Sequence, residues 1–330
     1  MPENRSFAAG SFALELGGAK CGFAKSFRGG GAVAEVISES VGSDYFVKKH
    51  IGQPKYEDIE LQIGLGMANA VYDWIAASWQ QQYMRKDGAV VMAGVDGTEQ
   101  SRREFFQALI TEVTVPKLDA ASKTPAYLTV KLSPEVVRDK KGSGAKAGAA
   151  IGKNEQKLFL PSNFRLTIDG LDCTKVAKID SLTVKQSAVT DDIGDARDYE
   201  KEPGKIEFPN LKISLAAASA GTWRTWFADF VIAGNNGEDR EKHGKIELLA
   251  PNRQTVLATI TLLGLGIYRL DDDWTAAETA DKVRRIEAEL YCEQMKLAVG
   301  AAAAPAPAQK VQPAERLASV TDRVGSIFRR

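Results

Sequence analysis

Residues 59–74 read IELQIGLGMANAVYDW and decide the fold. Ile59, Leu61 and Ile63 alternate with polar residues, which is the period-two pattern of a strand with one buried face. Gly64 and Gly66 then break the strand, and Met67 to Met84 carry apolar residues at helical spacing. The stretch therefore predicts an amphipathic strand followed directly by one helix.

The same pattern returns later in the chain. A second strand of the same pattern, with Leu211, Ile213 and Leu215, lies 152 positions after the first. The same offset separates Phe12 from Phe164. The pairs that share this offset are Phe12 and Phe164, Leu14 and Leu166, Gly18 and Gly170, Cys21 and Cys173, and Trp74 and Trp226. Because internal repeats usually mark duplicated structural units, we interpret the chain as a tandem duplication of one β-rich module.

Further strands are predicted around these anchors from alternation and turn residues. In the first module they lie at 12–16, 32–40, 89–93, 105–115 and 127–132, and in the second at 164–168, 177–186, 211–215, 244–249 and 256–263. A short helix is predicted at 222–233. The connections are too short for repeated βαβ crossovers, so the fold class is mainly β (α+β): two tandem sandwich or partly open barrel modules, each with one inserted helix.

The boundaries follow from composition. Residues 140–153 read KKGSGAKAGAAIGK, which predicts a flexible linker or exposed loop at 141–154, between module 1 at 1–140 and module 2 at 155–272. Residues 273–330 are predicted as a C-terminal helix and an Ala/Pro-rich tail. The helix spans Thr275 to Leu297, with Val283, Ile286, Leu290 and Leu297 on one stripe. Residues 317–328 predict a second short helix, or a segment that orders only on a partner.

The bulk properties bound the function. The 330 residues carry 43 basic and 43 acidic side chains, a balance that disfavours a free nucleic-acid binder and suits self-association. Three scattered cysteines indicate a reducing compartment without a disulfide framework. No signal peptide or membrane-length apolar stretch is visible, so we expect a soluble protein made in the cytoplasm.

One motif resembles a cofactor site. Gly64-x-Gly66-x-x-Asn69 follows a strand and opens a helix, as in a dinucleotide fingerprint. Against it, the strand alternates, the third glycine is missing, and the second module has Ala216–Ala218 at the matching place. We therefore predict no cofactor there.

The remaining polar candidates favour structural roles. His50 and His243 stand among lysines without a metal-spaced partner and are predicted as exposed loop residues, and Cys21 and Cys173 as small buried residues at one repeated core position. Asp271–Asp273 could hold a cation, but an acidic helix N-cap explains them better. Trp74 and Trp226 are predicted to pack helix on sheet. We predict no catalytic, cofactor-binding or metal-binding residue.

Residues 45–74, YFVKKHIGQPKYEDIELQIGLGMANAVYDW, carry a resemblance to a known family. The Gly52-Gln-Pro54-Lys-Tyr56 stretch, the helix with Tyr72, Trp74 and Ile75, and residues 109–121 (LITEVTVPKLDAA) resemble the tail-tube proteins of contractile-tailed phages and contractile injection systems. The second module matches only in pattern. The resemblance covers about two-thirds of the chain.

The resemblance implies a structural subunit whose long hairpins join those of its neighbours. Rings with a central channel would stack into a tube for DNA or effector passage, without sequence-specific DNA binding, in a virion tail or an injection-system particle. Most such subunits have one module and form six-membered rings, so two fused modules imply a trimeric pseudo-hexamer, or else a hexamer of fused chains. Sheath, baseplate, cap or tape-measure proteins are the expected partners, and no membrane is expected.

Alternatives remain open at this stage. The duplicated form and its C-terminal tail also fit a tube-end, cap or baseplate-hub adaptor, and phage and injection system are not distinguished. A soluble carbohydrate- or ligand-binding β-sandwich with Trp and Tyr platforms is the alternative from another class. An enzyme finds little support in the motifs.

Overall fold

The computed structural model describes residues 11–40, 42, 46–147, 159–191, 200–272 and 284–300. The two α-helices are α1 (Asn69–Trp79) and α2 (Gly221–Phe227). The strands of the first half are β1 (Ser11–Leu16), β2 (Ala19–Gly29), β3 (Ala32–Glu39), β4 (Lys48–Tyr56), β5 (Ile59–Ile63), β6 (Lys86–Ala93), β7 (Glu99–Val115), β8 (Leu118–Asp119), β9 (Leu128–Ser133) and β10 (Val136–Lys141). Those of the second half are β11 (Phe164–Ile168), β12 (Val176–Ile179), β13 (Leu182–Asp191), β14 (Glu200–Glu207), β15 (Leu211–Ala216), β16 (Lys242–Leu249), β17 (Val256–Asp272) and β18 (Arg285–Val299).

Six strands of the first half close into an antiparallel barrel. Their order is β7–β6–β1–β2–β5–β9, and pairing of β9 with β7 completes the ring. Strand β10 continues along β7 beyond β9 in the same register, after an interruption at Pro134 and Glu135. Proline has no N–H to donate, which accounts for the break in an otherwise continuous strand.

The second half has the same strand order with one pair missing. Its strands run β11–β16–β17–β18–β15–β12, and among the described residues β11 and β12 do not pair, so the sheet forms a half-barrel. The equivalent pairings keep their registers: Ala24 opposite Ile63 recurs as Val176 opposite Leu215. The predicted mainly β fold is confirmed, whereas the tandem duplication remains our interpretation.

A polar turn opens the second barrel. Residues equivalent to the start of β2 form a turn around Asp172, whose Oδ1 accepts hydrogen bonds from the N–H (3.0 Å) and Oγ1 (2.6 Å) of Thr174. Trp223 Nε1 donates to the Asp172 carbonyl at 2.9 Å. The chain therefore turns where β2 runs straight, and the predicted strand 177–186 divides into β12 and β13, which enter different sheets.

The C-terminal helix predicted from Thr275 to Leu297 is wrong over the described residues from 285 onward, which form β18. Ile286, Ala288, Leu290 and Cys292 alternate with polar side chains and face the core. Residues four apart share a face in both a helix and a strand, which explains the error. Strand β18 pairs with β15 and β17, so the second sheet continues past the predicted boundary at 272.

The first residues of the predicted linker or exposed loop are bound to the first half. Residues 142–147 are bound to the β6–β7 turn, where Glu99 N–H donates to the Ala145 carbonyl (2.8 Å) and Ala147 N–H to that of Gly97 (2.9 Å). The start of a glycine-rich segment is thus held by backbone hydrogen bonds. The remainder of the predicted linker, and the tail with residues 317–328, lie outside the described residues.

Helix α1 joins the two halves through one apolar core. Its Trp74 is buried and donates from Nε1 to the Met84 carbonyl at 2.6 Å. Trp79, at the end of the helix, meets Phe208 of the second half edge-on, with ring centroids 6.4 Å apart. Within the described residues, no helix is long and apolar enough to cross a membrane.

Candidate assembly surface

Each half carries a long hairpin at the same place in its strand order. We name β3–β4 (Ala32–Tyr56) the exposed hairpin and β13–β14 (Leu182–Glu207) the docked hairpin. Both are antiparallel and have an irregularity at the same position, after Ala34 in one and after Gln186 in the other. The two hairpins are therefore structural equivalents.

Their surroundings differ. Strand β13 pairs with β7 of the first half, with Leu182 opposite Val115 and Lys185 opposite Glu112. Within the described part of the chain, β3 and β4 pair only with each other. The structure therefore contains one completed hairpin-to-barrel joint and one hairpin that lacks it.

Backbone pairing and apolar burial hold the docked hairpin. Leu182 and Val184 are each 2% exposed, and Val113 and Val115 on β7 are each 1% exposed. The hydroxyls of Thr114 and Thr183 lie 3.0 Å apart on the other face. Adding β13 to the edge of β7 thus satisfies edge hydrogen bonds and buries one side of both strands.

A buried lysine secures strand β14. Lys201 Nζ donates to Ser133 Oγ at 2.9 Å, and that hydroxyl donates to Asp58 Oδ1 at 2.6 Å. The Lys201 N–H also donates to Glu135 Oε1 at 2.8 Å. Burial lowers the pKa of Lys201, while the carboxylates of Asp58 and Glu135 oppose that shift.

Two further side chains, those of Arg85 and Ser78, complete this joint. Arg85 Nη2 donates to the Lys201 carbonyl at 2.8 Å, and its Nε lies 3.6 Å from Glu135 Oε1. Ser78 of α1 donates to Gln186 Oε1 at 2.8 Å. The joint therefore combines backbone pairing, apolar burial and a polar network, in which the buried Gln186 Nε2 has no hydrogen-bond partner within the described residues.

The exposed hairpin presents the opposite picture. Its apolar side chains Val33, Val36 and Ile51 lie on the surface, with Ile51 78% exposed. Lys48, Lys49 and His50 are also exposed on β4. Because monomeric proteins seldom present a long strand edge beside apolar side chains, this hairpin is a candidate interaction surface.

The second half contains an edge that matches it. On β17, the strand β16 pairs only as far as Leu265, whereas β18 continues along the opposite side to Asp272. The equivalent part of β7 is where β13 binds. Among the described residues, the end of β17 therefore lacks the strand that its counterpart holds.

The glycine motif forms a closed turn. Tyr72 of α1 reaches back so that its hydroxyl donates to the Gly64 carbonyl at 2.6 Å and accepts from Met67 N–H at 3.0 Å. Burial raises the pKa of Tyr72. The Tyr72 hydroxyl thus occupies the Met67 N–H, a backbone donor near the helix start of the kind that would bind a phosphate. Asn69 is exposed.

His50 and His243 are exposed, but both lie in strands, so their prediction as loop residues is wrong. The N–H of Gly264, a residue with positive φ, donates a hydrogen bond to His243 Nδ1 at 3.4 Å. At the equivalent point of the first half, Gln107 N–H donates to Asp87 Oδ1 at 2.8 Å. His243 and Asp87 therefore play the same local role, because each accepts a hydrogen bond from the equivalent backbone N–H.

The cysteines and tryptophans lie near their predicted places. Cys21 is buried and Cys173 is half-buried, and burial raises the pKa of Cys173 to about 11. Trp74 and Trp226 are both buried between helix and sheet, and the Trp226 ring lies tilted against Phe230 with ring centroids 5.8 Å apart. The predicted packing role of the tryptophans is confirmed, and the burial predicted for the cysteines holds fully only for Cys21.

Two residues of the acidic triplet lie in a strand, and the start of the helix they were predicted to cap lies outside the described residues. Asp271 and Asp272 end strand β17, where Asp272 pairs with Arg224 at 2.7 Å and Asp271 with Arg269 at 2.5 Å. Asp273 lies outside the described residues. No group of three or more His, Cys, Asp or Glu side chains with metal-site geometry occurs in the described ranges.

The sequence did not reveal which hairpin docks and where. The signal was present in part, because Leu182 and Val184 alternate with polar residues whereas the equivalent Gly30 and Ala32 are small. Alternation identifies a buried face but does not identify the strand that covers it.

Comparison with known proteins is consistent with this architecture. Residues 10–138 match the family described as T4-like virus tail tube protein gp19. No curated protein matches the chain significantly.

Several solved structures are similar to part of the chain. One is in the sheath–tube complex of an extracellular contractile injection system, PVC, in its extended state (23% identity, TM-score 0.38, covering 42% of this chain and 94% of that chain). Another is in the tube-terminating cap of the anti-feeding prophage (24% identity, TM-score 0.39, 43% and 95% covered). A third is Hcp1 from Flavobacterium johnsoniae (11% identity, TM-score 0.25, 42% and 95% covered).

The family match ends at residue 138, within β10, and so spans the closed barrel, its exposed hairpin and helix α1. The resemblance noted in residues 45–74 is thereby confirmed for the first half. The first half of the chain is therefore similar to the T4-like virus tail tube protein gp19 family.

Proposed function

We propose that the protein is a structural subunit that assembles into closed rings, which stack as a tube with a central channel. One observation carries the proposal: the docked hairpin forms a joint between barrel units, whereas the equivalent exposed hairpin pairs with no further strand among the described residues. A head-to-tail arrangement would repeat that joint between chains. Such heterologous contacts form rings when the rotation closes.

The number of chains follows from the number of barrel units. If a ring holds six units, three chains suffice, and every second joint lies within a chain. A hexamer of chains would need twelve units and a wider ring. We favour the trimer because the in-chain joint already sets the relation between successive units.

The expected role is mechanical and not catalytic. Tube rings would contact sheath, baseplate, cap or tape-measure proteins, and DNA or an effector would pass through the channel without sequence-specific contacts. The particle would be a virion tail or an injection system assembled in the cytoplasm. The balanced charge of the chain suits self-association.

A tube-end or hub adaptor is a second candidate. The observation that favours it is the difference between the halves, one closed barrel and one open half-barrel. Alternating units of two kinds would give a ring threefold rather than sixfold symmetry. Such a ring could join a sixfold tube to a threefold component.

The test is the mass and shape of the purified full-length protein. Light scattering over a concentration series should give the mass of three chains, and negative-stain electron microscopy should show rings with a central hole. Ring averages with threefold symmetry support fused pairs of units. A protein that stays monomeric at the highest soluble concentration contradicts ring assembly.

A further inference from the structure

We propose that β3 of one chain adds to the edge of β17 in a second copy, with Ala32 opposite Leu270 and Val33 opposite Arg269, while Lys49 enters an acidic socket on that copy. We define the acidic socket as Asn210, Glu241, Tyr291 and Glu293. The inference deepens the proposed assembly and rests on it, because it names the joint between chains.

The register comes from the in-chain joint. Val184 pairs with Val113, and Lys185 with Glu112. The two hairpins share one internal register, so Val184 and Lys185 of the docked hairpin correspond to Ala32 and Val33 of the exposed hairpin.

The barrel strands give the other side of the register. In the first half, Val113 on β7 lies opposite Val130, and a register irregularity precedes Glu112. In the second half, Leu270 on β17 lies opposite Ala288, and a register irregularity precedes Arg269. Leu270 and Arg269 are therefore the equivalents of Val113 and Glu112.

The edge of β17 is accessible in the single chain. Tyr268, Arg269 and Asp271 are exposed, and Leu270 is half-buried, whereas its equivalent Val113 is 1% exposed. A second strand would bury the apolar face here as β13 does on β7. The exposed hairpin supplies such a strand, with its irregularity at the same position as in the docked hairpin.

Charge complementarity identifies Lys49 as the side chain that enters. Its equivalent on the docked hairpin is the buried Lys201, which is held by Ser133, Glu135 and Asp58. The equivalents of those three residues are Tyr291, Glu293 and Asn210. Arg85, beside Glu135 in the first half, is replaced by Glu241 in the second.

The socket is therefore more acidic than its counterpart. Tyr291 donates from its hydroxyl to Glu241 Oε1 at 2.7 Å. Partial burial and the nearby carboxylates of Glu241 and Glu238 raise the pKa of Glu293, which is the direction expected where negative charges lie close together. An incoming ammonium group would supply the missing positive charge.

A second contact has an in-chain counterpart too. Trp79 at the end of α1 packs on Phe208 beyond the docked hairpin. The equivalents are Val231 and Tyr56, and Val231 is 37% exposed in the single chain, whereas Trp79 is 2% exposed. Val231 of one chain would meet Tyr56 of the next, which extends the apolar part of the joint.

Cysteine cross-linking tests the register. Val33→Cys in one tagged chain is mixed with Arg269→Cys in a chain of different tag length, so only links between chains give the mixed product. Opposed residues of neighbouring strands lie roughly 4.5–5.5 Å apart at Cα, within disulfide range. Ile37→Cys with Arg269→Cys is the matched control, since four residues displace the thiols by roughly 13 Å.

We expect rapid oxidation to the mixed dimer for the first pair, at least ten times faster than for the control pair. Equal rates for the two pairs, or none for either, in a protein that forms rings would overturn this joint and leave ring assembly standing. Absence of any oligomer in the unmodified protein would instead contradict the proposed function.

Charge exchange tests the socket. Lys49→Glu and Glu293→Lys should each weaken assembly at least tenfold in light scattering, and the double exchange should restore most of it. Lys48→Glu is the control, because the equivalent residue of the docked hairpin is already the exposed Glu200. Failure of the double exchange to restore assembly, with both chains folded by circular dichroism, contradicts the Lys49 contact.

Discussion

The docked and exposed hairpins have the same internal pairing and differ in what lies beside them. Ala34 opposite Pro54 and Gln186 opposite Ile206 occupy the same register position. Yet Val184 is buried on β7, whereas the equivalent Ala32 is exposed. The comparison teaches that the hairpin fold is local, while its burial depends on an edge that another unit provides.

The sharpest way to break this comparison is a buried charge. Val184→Asp places a carboxylate between β13 and β7, so we expect roughly 3 kcal/mol loss in the free energy of unfolding. Ala32→Asp, its equivalent, should change the monomer by less than roughly 0.5 kcal/mol and prevent ring formation. Urea denaturation with light scattering measures both, and a large monomer loss for Ala32→Asp would show that the exposed hairpin is already buried.

The two equivalent lysines give a smaller contrast. Lys201→Met leaves Asp58 and Glu135 without their buried cation, and we expect about 1–2 kcal/mol of destabilisation. Lys49→Met should leave the monomer within roughly 0.5 kcal/mol of the parent, since Lys49 is exposed. Thermal and urea unfolding of both variants decide this, and equal losses would contradict the different environments of the lysines.

The smallest expected effect is the pH response of the acidic socket. The raised pKa of Glu293 means that the folded chain binds this proton more tightly than the unfolded chain. Its contribution to stability is therefore present at pH below the unfolded pKa and is lost as pH rises through the folded pKa.

Glu293→Gln should accordingly lessen the fall in melting temperature between acidic and neutral pH in the monomer. It should also weaken ring assembly at neutral pH, which separates the two roles of the carboxylate. Glu207→Gln, at an exposed site on β14, is the control. A pH profile unchanged by Glu293→Gln would contradict a raised pKa at this carboxylate.

The sequence was a good guide to local structure. The alternation of Ile59, Leu61 and Ile63 and the helical spacing after Met67 predicted β5 and α1, and the repeat predicted a second copy of both. It misled at Ile286 and Leu290, because a spacing of four suits either period and only pairing with β15 and β17 selects the strand.

The assembly surface was less predictable. Nothing near Leu182 specifies that β13 binds β7 of the other half, because strand partners are chosen by shape and burial over long sequence distances. The Asp172 turn that opens the second barrel is a local signal, but its consequence for the ring depends on which strands approach. Equivalence between the halves supplied what the linear pattern lacked.

The presence of two barrel units in one polypeptide affects the number of units that a ring can contain and the way a ring responds to dilution. Any closed ring of this chain contains an even number of barrel units, so rings of five or seven units cannot form. Every second seam is intramolecular, with an effective concentration that does not fall when the protein is diluted. Dilution therefore acts only on the alternate seams and should release intact two-unit chains, never single barrels.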